Sequence, residues 1–126
     1  MQKIIIPIAP RTKKNSWQII TVKGRPMIIP SKAYKQYEKD CGVFLTYVEP
    51  FLSPCNVKCL YYMPTRRRVD LTNLLEATDD ILVHYGILMD DNSNVIVGHD
   101  GSRVMYDKEN PRTEIEITEI KDVELD

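Results

Sequence analysis

The chain has 126 residues, 28% of them charged, with a formal net charge of −1 and three cysteines. That length fits one domain able to bury a real core without staples. It holds no run of about 18 apolar residues, which excludes a membrane span, and three cysteines without framework spacing exclude a disulfide scaffold.

In chain order, Lys3 to Ile8 reads as a first strand, rich in isoleucine and closed by Pro7 and Pro10. Its apolar run is too short for a signal peptide, so a cytoplasmic protein is expected. Arg11 to Ser16 forms a polar, basic loop, and Trp17 to Val22 resumes a β pattern. Lys23-Gly24-Arg25 looks like a hairpin turn with Met27 to Ile29 as the return strand. Pro30-Ser31 opens a helix with Ser31 as N-cap. Tyr34, Tyr37 (or Glu38), Cys41, Phe44, Leu45 and Val48 keep helical spacing until Pro50 and Pro54 break it.

Val57 to Met63 is nearly continuously apolar, the pattern of an interior strand. Asp70 is placed to cap a second helix, with Leu71, Leu74, Leu75, Thr78, Ile81, Leu82 and Tyr85 on its buried stripe and Gly86 at its end. Asn73, Glu76, Asp79 and Asp80 fall largely off that stripe. Ile87 to Met89 is a short apolar element delivering Asp90-Asp91. Val95 to Tyr106 is one strand interrupted near Gly98–Gly101, or a hairpin through Asp100-Gly101. Asn110-Pro111 turns into a last strand, Thr113 to Ile120, with alternating isoleucine and glutamate. The acidic stretch from Glu114 reads as a solvated edge strand with a tail that frays from about residue 121. The sum is an α+β fold over residues 1–126, a mixed or mainly antiparallel sheet carrying two principal helices.

Charge is distributed far from evenly. Residues 1–69 carry 13 Lys+Arg against 3 Asp+Glu, and residues 70–126 carry 4 against 15, so the halves stand at +10 and −11. Such asymmetry marks a polyanion-binding surface set beside an acidic region. The boundary falls at Arg66-Arg67-Arg68-Val69-Asp70. Guanidinium groups grip phosphate in bidentate fashion, and carboxylates tolerate a nearby phosphate when Mg²⁺ lies between them. Arginines running into Asp70, with Asp90-Asp91 downstream, therefore point to metal-dependent phosphodiester chemistry.

Two other metal readings fail. Cys55-x3-Cys59 with His84 or His99 lacks a second tight ligand pair for zinc, and both cysteines sit where buried small side chains are expected. Asp90-Asp91-Asn92-Ser93-Asn94 begins like a calcium loop but has Val95 where the glycine belongs and Gly101 where the glutamate belongs.

The order of a basic run, Arg68-Val69-Asp70-Leu71-Thr72-Asn73-Leu74 at a helix start, a glycine and then Asp90-Asp91 resembles the RusA-type Holliday junction resolvases of prophages. Lys13 to Trp17, Pro30-Ser31-Lys32-Ala33-Tyr34 and Lys108 to Glu114 resemble the same family, so the likeness covers most of the chain. It implies a homodimeric Mg²⁺- or Mn²⁺-dependent endonuclease that makes paired nicks in four-way DNA junctions during recombination or repair. It needs neither a membrane nor a small-molecule cofactor. Carried over by position, the acidic site comprises Asp70, Asn73, Asp90 and Asp91. The family's second aspartate is Thr72 here, and a lysine many members carry is Glu76. Thr72 is expected to hold a metal-bound water through its hydroxyl, or Glu76 to supply the missing charge. Lys13, Lys14, Asn15, Lys23, Arg25, Arg66, Arg67 and Arg68 are the expected DNA contacts. A non-catalytic, structure-selective DNA-binding protein is the competing reading, favoured by Thr72 and Glu76.

If residues 71–84 are helical, that helix is about 20 Å long. Three extended residues, 87–89, return only about 10 Å. Asp91 thus meets Asp70 either by a chain that runs back along the helix or across a dimer.

Overall fold

The computed structural model describes residues 1–13 and 17–120. Its main sheet takes β1 (Gln2–Ile6), β4 (Cys55–Met63), β5 (Ile96–Gly98), β6 (Arg103–Tyr106) and β7 (Arg112–Glu119), and the remaining strands, β2 (Trp17–Val22) and β3 (Arg25–Pro30), form a separate hairpin. The helices are α1 (Lys32–Gly42) and α2 (Leu71–His84). Strand β7 runs antiparallel between β1 and β4, while β5 and β6 both run parallel to β4 along its other edge. The sheet is therefore mixed, and the fold is α+β.

Strict alternation decides which side of the sheet is covered. Ile4, Ile6, Val57, Cys59, Tyr61, Ile115 and Ile117 are buried, as are Tyr34, Tyr37 and Cys41 of α1 and Leu74, Ala77, Ile81 and Leu82 of α2. The other face is ionic: Glu116 pairs with Lys3 (3.7 Å) and Lys58 (3.3 Å). Arg112 holds Glu114 and Asp107 at 2.7 and 2.9 Å while lying over the Tyr62 ring. The stretch from Glu114 is thus no edge strand, because β1, from the far end of the chain, pairs along its outer side.

Several boundaries differ from the sequence expectation. The first strand ends at Ile6, not Ile8. Helix α1 stops at Gly42 instead of running to Val48; Leu45 stays buried and Val48 packs on the core from short turns. A side chain at Gly42 would meet the Tyr85 ring at 2.5 Å, so that ring closes over the helix end. The hairpin turns tightly on Lys23 and Gly24, both at positive φ, and pairs Val22 with Arg25. Positive φ at both central residues is the turn type that matches strand twist. Residues 96–106 form an interrupted strand, not a hairpin, since both halves pair with β4 in the same direction.

Ser31 caps α1 as expected, accepting the Tyr34 amide at 3.2 Å. Cys55 and Cys59 are buried free thiols, pushed by burial up to about 11 and about 12, so thiolate ligation is disfavoured. Under α2, the Tyr61 hydroxyl donates to Thr78 Oγ1 at 2.7 Å, and that hydroxyl in turn donates to the Leu74 carbonyl at 3.0 Å. Tyr61→Phe removes one buried hydrogen bond while leaving Thr78 satisfied. A loss of about 1 kcal/mol, a few degrees in melting temperature, is expected in thermal unfolding.

Candidate active site

Helix α2 starts where the arginines end. Asp70 takes the N-cap position in extended backbone, and its carbonyl accepts the Asn73 and Leu74 amides, each at 3.2 Å. Its carboxylate makes no side-chain capping bond and instead receives the Asn73 side-chain amide at 3.2 Å. An N-cap aspartate ordinarily turns its oxygens onto the first-turn amides. Here the carboxylate is held by a neighbour on the helix and stays at an exposed position. Arg66, Arg67 and Arg68 precede it, all exposed, and Arg66 lies 4.2 Å from the Tyr106 ring centroid.

Beyond α2 the chain reverses sharply. The Ile87 and Leu88 amides both reach the Leu82 carbonyl, at 2.9 and 3.3 Å, with Gly86 at positive φ. Ile87 and Leu88 are buried, and the Phe51 amide ties the Ile87 carbonyl at 2.8 Å. Residues 87–89 are bends, not a strand. Asp90 organises the loop that follows: one carboxylate oxygen accepts the Asp91 amide at 2.7 Å and the other the Asn92 side chain at 3.1 Å. The Asp91 amide bond, first among these contacts, holds the Asp90 carboxyl below its ordinary range. Asp91 itself is exposed and close enough to α2 for its charge to act on Asp79. Asp79 is nine residues from Asp70, about 13 Å along the helix axis.

Asp79 departs from its expected place off the buried stripe, being only 7% exposed. Its carboxylate meets His99 Nε2 at 2.8 and 3.1 Å through its two oxygens. His99 reaches it because the strand breaks between β5 and β6. Asn56 grips Asp100 there through both its amide and its carbonyl, and Ser102 accepts the Cys59 amide at 3.0 Å. Spacing alone could not expose this pair, since the partners lie twenty residues apart on different elements. The usable signal was a histidine beside a strand-breaking glycine pair.

Burial first, and then the charges of Asp91 and Asp80, raise the proton affinity of Asp79, while His99 opposes them. A carboxyl whose affinity rises on folding stabilises the protein fully below its unfolded value, near 3.8, and loses that contribution as pH rises through the folded value. Asp79→Asn, which keeps a hydrogen-bonding oxygen for His99, is expected to melt above the wild type at neutral pH. The difference should vanish as pH falls below 4, near the ordinary range of aspartate.

The remaining residues divide by position. Thr72, Glu76 and Asp79 follow i, i+4, i+7 spacing, so they occupy one strip of α2. Thr72 and Glu76 are exposed. Lys13 is ion-paired with Asp80 of α2 and lies over the Tyr34 ring at 5.7 Å. Lys23 and Arg25 are exposed at the hairpin tip, and Lys14 and Asn15 lie outside the described residues. Among the described residues no three His, Cys, Asp or Glu side chains converge as a metal cage. Hydrated Mg²⁺ does not require one, because it keeps several waters and is commonly held by one or two carboxylates together with substrate phosphates. Asp70 and Asp91 are both exposed carboxylates, the oxygen-donor type such an ion takes.

An α+β domain with exposed arginines leading into a carboxylate-bearing helix has the makings of a DNA-processing protein. A family model described as endodeoxyribonuclease RusA matches residues 7–118, and the chain belongs to that family. It is accordingly a nuclease by family. A search of curated proteins gives no match.

Proposed function

We propose that the protein is a divalent-metal-dependent endodeoxyribonuclease that resolves four-way DNA junctions by paired nicks in recombination or repair, working as a homodimer. The observation that carries the reading is the start of α2: Asp70 is withheld from side-chain capping, oriented by Asn73, and preceded by three exposed arginines. Asp70 and Asp91 would hold Mg²⁺ or Mn²⁺, with Asp90 fixing the loop that presents Asp91. When bound, the ion supplies a water activated for attack and neutralises charge on the leaving oxygen. Asn73 keeps the Asp70 carboxylate turned outward. Thr72 and Glu76, both exposed on α2, are available to hydrogen-bond water carried by the ion.

Arg66, Arg67 and Arg68 grip flanking phosphates, joined by Lys23 and Arg25 from the hairpin and by Lys14 and Asn15 from the basic loop. The dimer is supported by β2–β3, a two-stranded sheet that exposes Ile19, Val22, Met27 and Ile28. Isolated hairpins are marginal in water and gain from a covering surface. No helix among the described residues is long and apolar enough to cross a membrane.

The competing reading, DNA binding without cutting, draws on Thr72 standing where the family pattern carries a carboxylate. An end-labelled four-way junction incubated with the protein in Mg²⁺ or EDTA, beside linear duplex of the same sequence, separates them. Symmetrical nicks in the junction that require the ion support the proposal. Junction binding with no cut in Mg²⁺ would leave only the binding module.

A further inference from the structure

At the edge of the sheet next to the arginines lies a pocket of about 250 Å³, whose walls include Met63, Thr65, Arg66, Arg67, Val104 and Tyr106. Strand β6 forms one wall and pairs only with β4 among the described strands, so its outer edge is open. The pocket has two kinds of lining. Met63 and Val104 are apolar, and Tyr106 is an aromatic ring left 39% exposed. Above the ring stands the Arg66 guanidinium, 4.2 Å from its centroid, with exposed Arg67 beside it. Neither arginine forms an ion pair with a carboxylate among those found for the described residues.

This combination has a specific chemical match. Planar cations and aromatic rings stack on the faces of unpaired bases, and arginines bind the phosphates that flank them. Ligand pockets for larger molecules start near about 300 Å³, so this one suits a single flat ring system. The segment from Arg66 to Asp70 is non-helical and spans at most about 14 Å even if fully extended. At about 3.4 Å per nucleotide along one strand, the pocket is then within about four nucleotides of a phosphate held at Asp70.

We propose that this pocket receives one unstacked nucleobase, stacked on the layered pair that Arg66 makes with Tyr106, from the strand whose phosphate is held near Asp70. The assignment rests on the reading of the protein as a DNA-cutting enzyme for its choice of polymer. It adds a contact to a base face, which the phosphate-gripping arginines by themselves do not provide. A base flipped out of the stack costs least where pairing is already interrupted, so such a pocket favours branched over continuous duplex DNA.

The test compares the affinity of the intact chain for a fluorescent ten-nucleotide single strand of thymidines with that for the same backbone built from abasic residues. The wild type should bind the base-bearing strand about tenfold tighter or more. Tyr106→Phe should keep that preference, while Tyr106→Ala and Tyr106→Leu should lose most of it. Equal affinity of the wild type for the two strands overturns the pocket, as does a preference that survives both non-aromatic variants. Because no cutting is read, failure here is distinct from failure of the nuclease reading. A preference lost in Tyr106→Ala and Tyr106→Leu, beside a junction assay that shows no nicks, would sustain the pocket and sink the enzyme.

Discussion

Asp70→Asn and Asp91→Asn are each expected to lower metal-dependent nicking of a four-way junction by more than about a hundredfold, since even groups one shell removed from a bound metal are worth about 10–100-fold. Both are exposed carboxylates whose removal disturbs little packing, so folding should be preserved. Junction binding should persist or tighten, because each change removes a negative charge near phosphate. Asp90→Asn should behave differently. The Asp90 oxygens are already engaged by the Asp91 amide and the Asn92 side chain, so its loss acts through loop order and should cost less. Gel-shift and nicking assays on the same preparations read both quantities. Equal, small effects at all three positions would remove the assignment of Asp70 and Asp91 as metal ligands.

Replacing Arg66, Arg67 and Arg68 together by alanine is expected to weaken junction binding roughly a hundredfold at 0.1 M salt, because each lost phosphate contact lowers the log–log salt slope by about 0.9. The slope itself should fall by about 2–3 if all three arginines touch phosphate. All three are exposed, so stability should change little. Cutting by fully bound protein should survive better than binding does, since these groups position the strand and the carboxylates serve the chemistry. A binding curve measured at several salt concentrations checks the slope. An unchanged slope would mean the basic run does not touch the DNA backbone.

How far the fold could be read from residues depended on how local each cause was. Ser31 and Asp70 announce their helices because capping acts within one turn, and alternation along β7 states which side chains are buried. Where a strand sits in the sheet is not local. The glutamates of β7 look like a solvated edge until β1, more than a hundred residues earlier, pairs with it. Likewise 96–106 reads equally well as a hairpin, because only its parallel partner β4 fixes its course.

The candidate site divides the same way. Asp70, Asn73 and the arginines were legible as a contiguous run, and Asn73 does orient the Asp70 carboxylate. Asp79 was not, because its burial depends on His99 arriving from the break between β5 and β6. The turn that ends α2 was legible only as far as Gly86, whereas the paired bonds from Ile87 and Leu88 to the Leu82 carbonyl lie beyond any local signal. Lys13, expected on DNA, is paired with Asp80, a long-range contact that joins the two oppositely charged halves.

The central claim is that Asp70 and Asp91 together hold the ion that cuts the junction. Crystals grown with Mn²⁺ and measured for its anomalous signal test it most directly. A peak within coordination distance of both carboxylates is expected, about 2.0–2.6 Å as for hard divalent cations on oxygen. A well-occupied peak that touches neither carboxylate would contradict it.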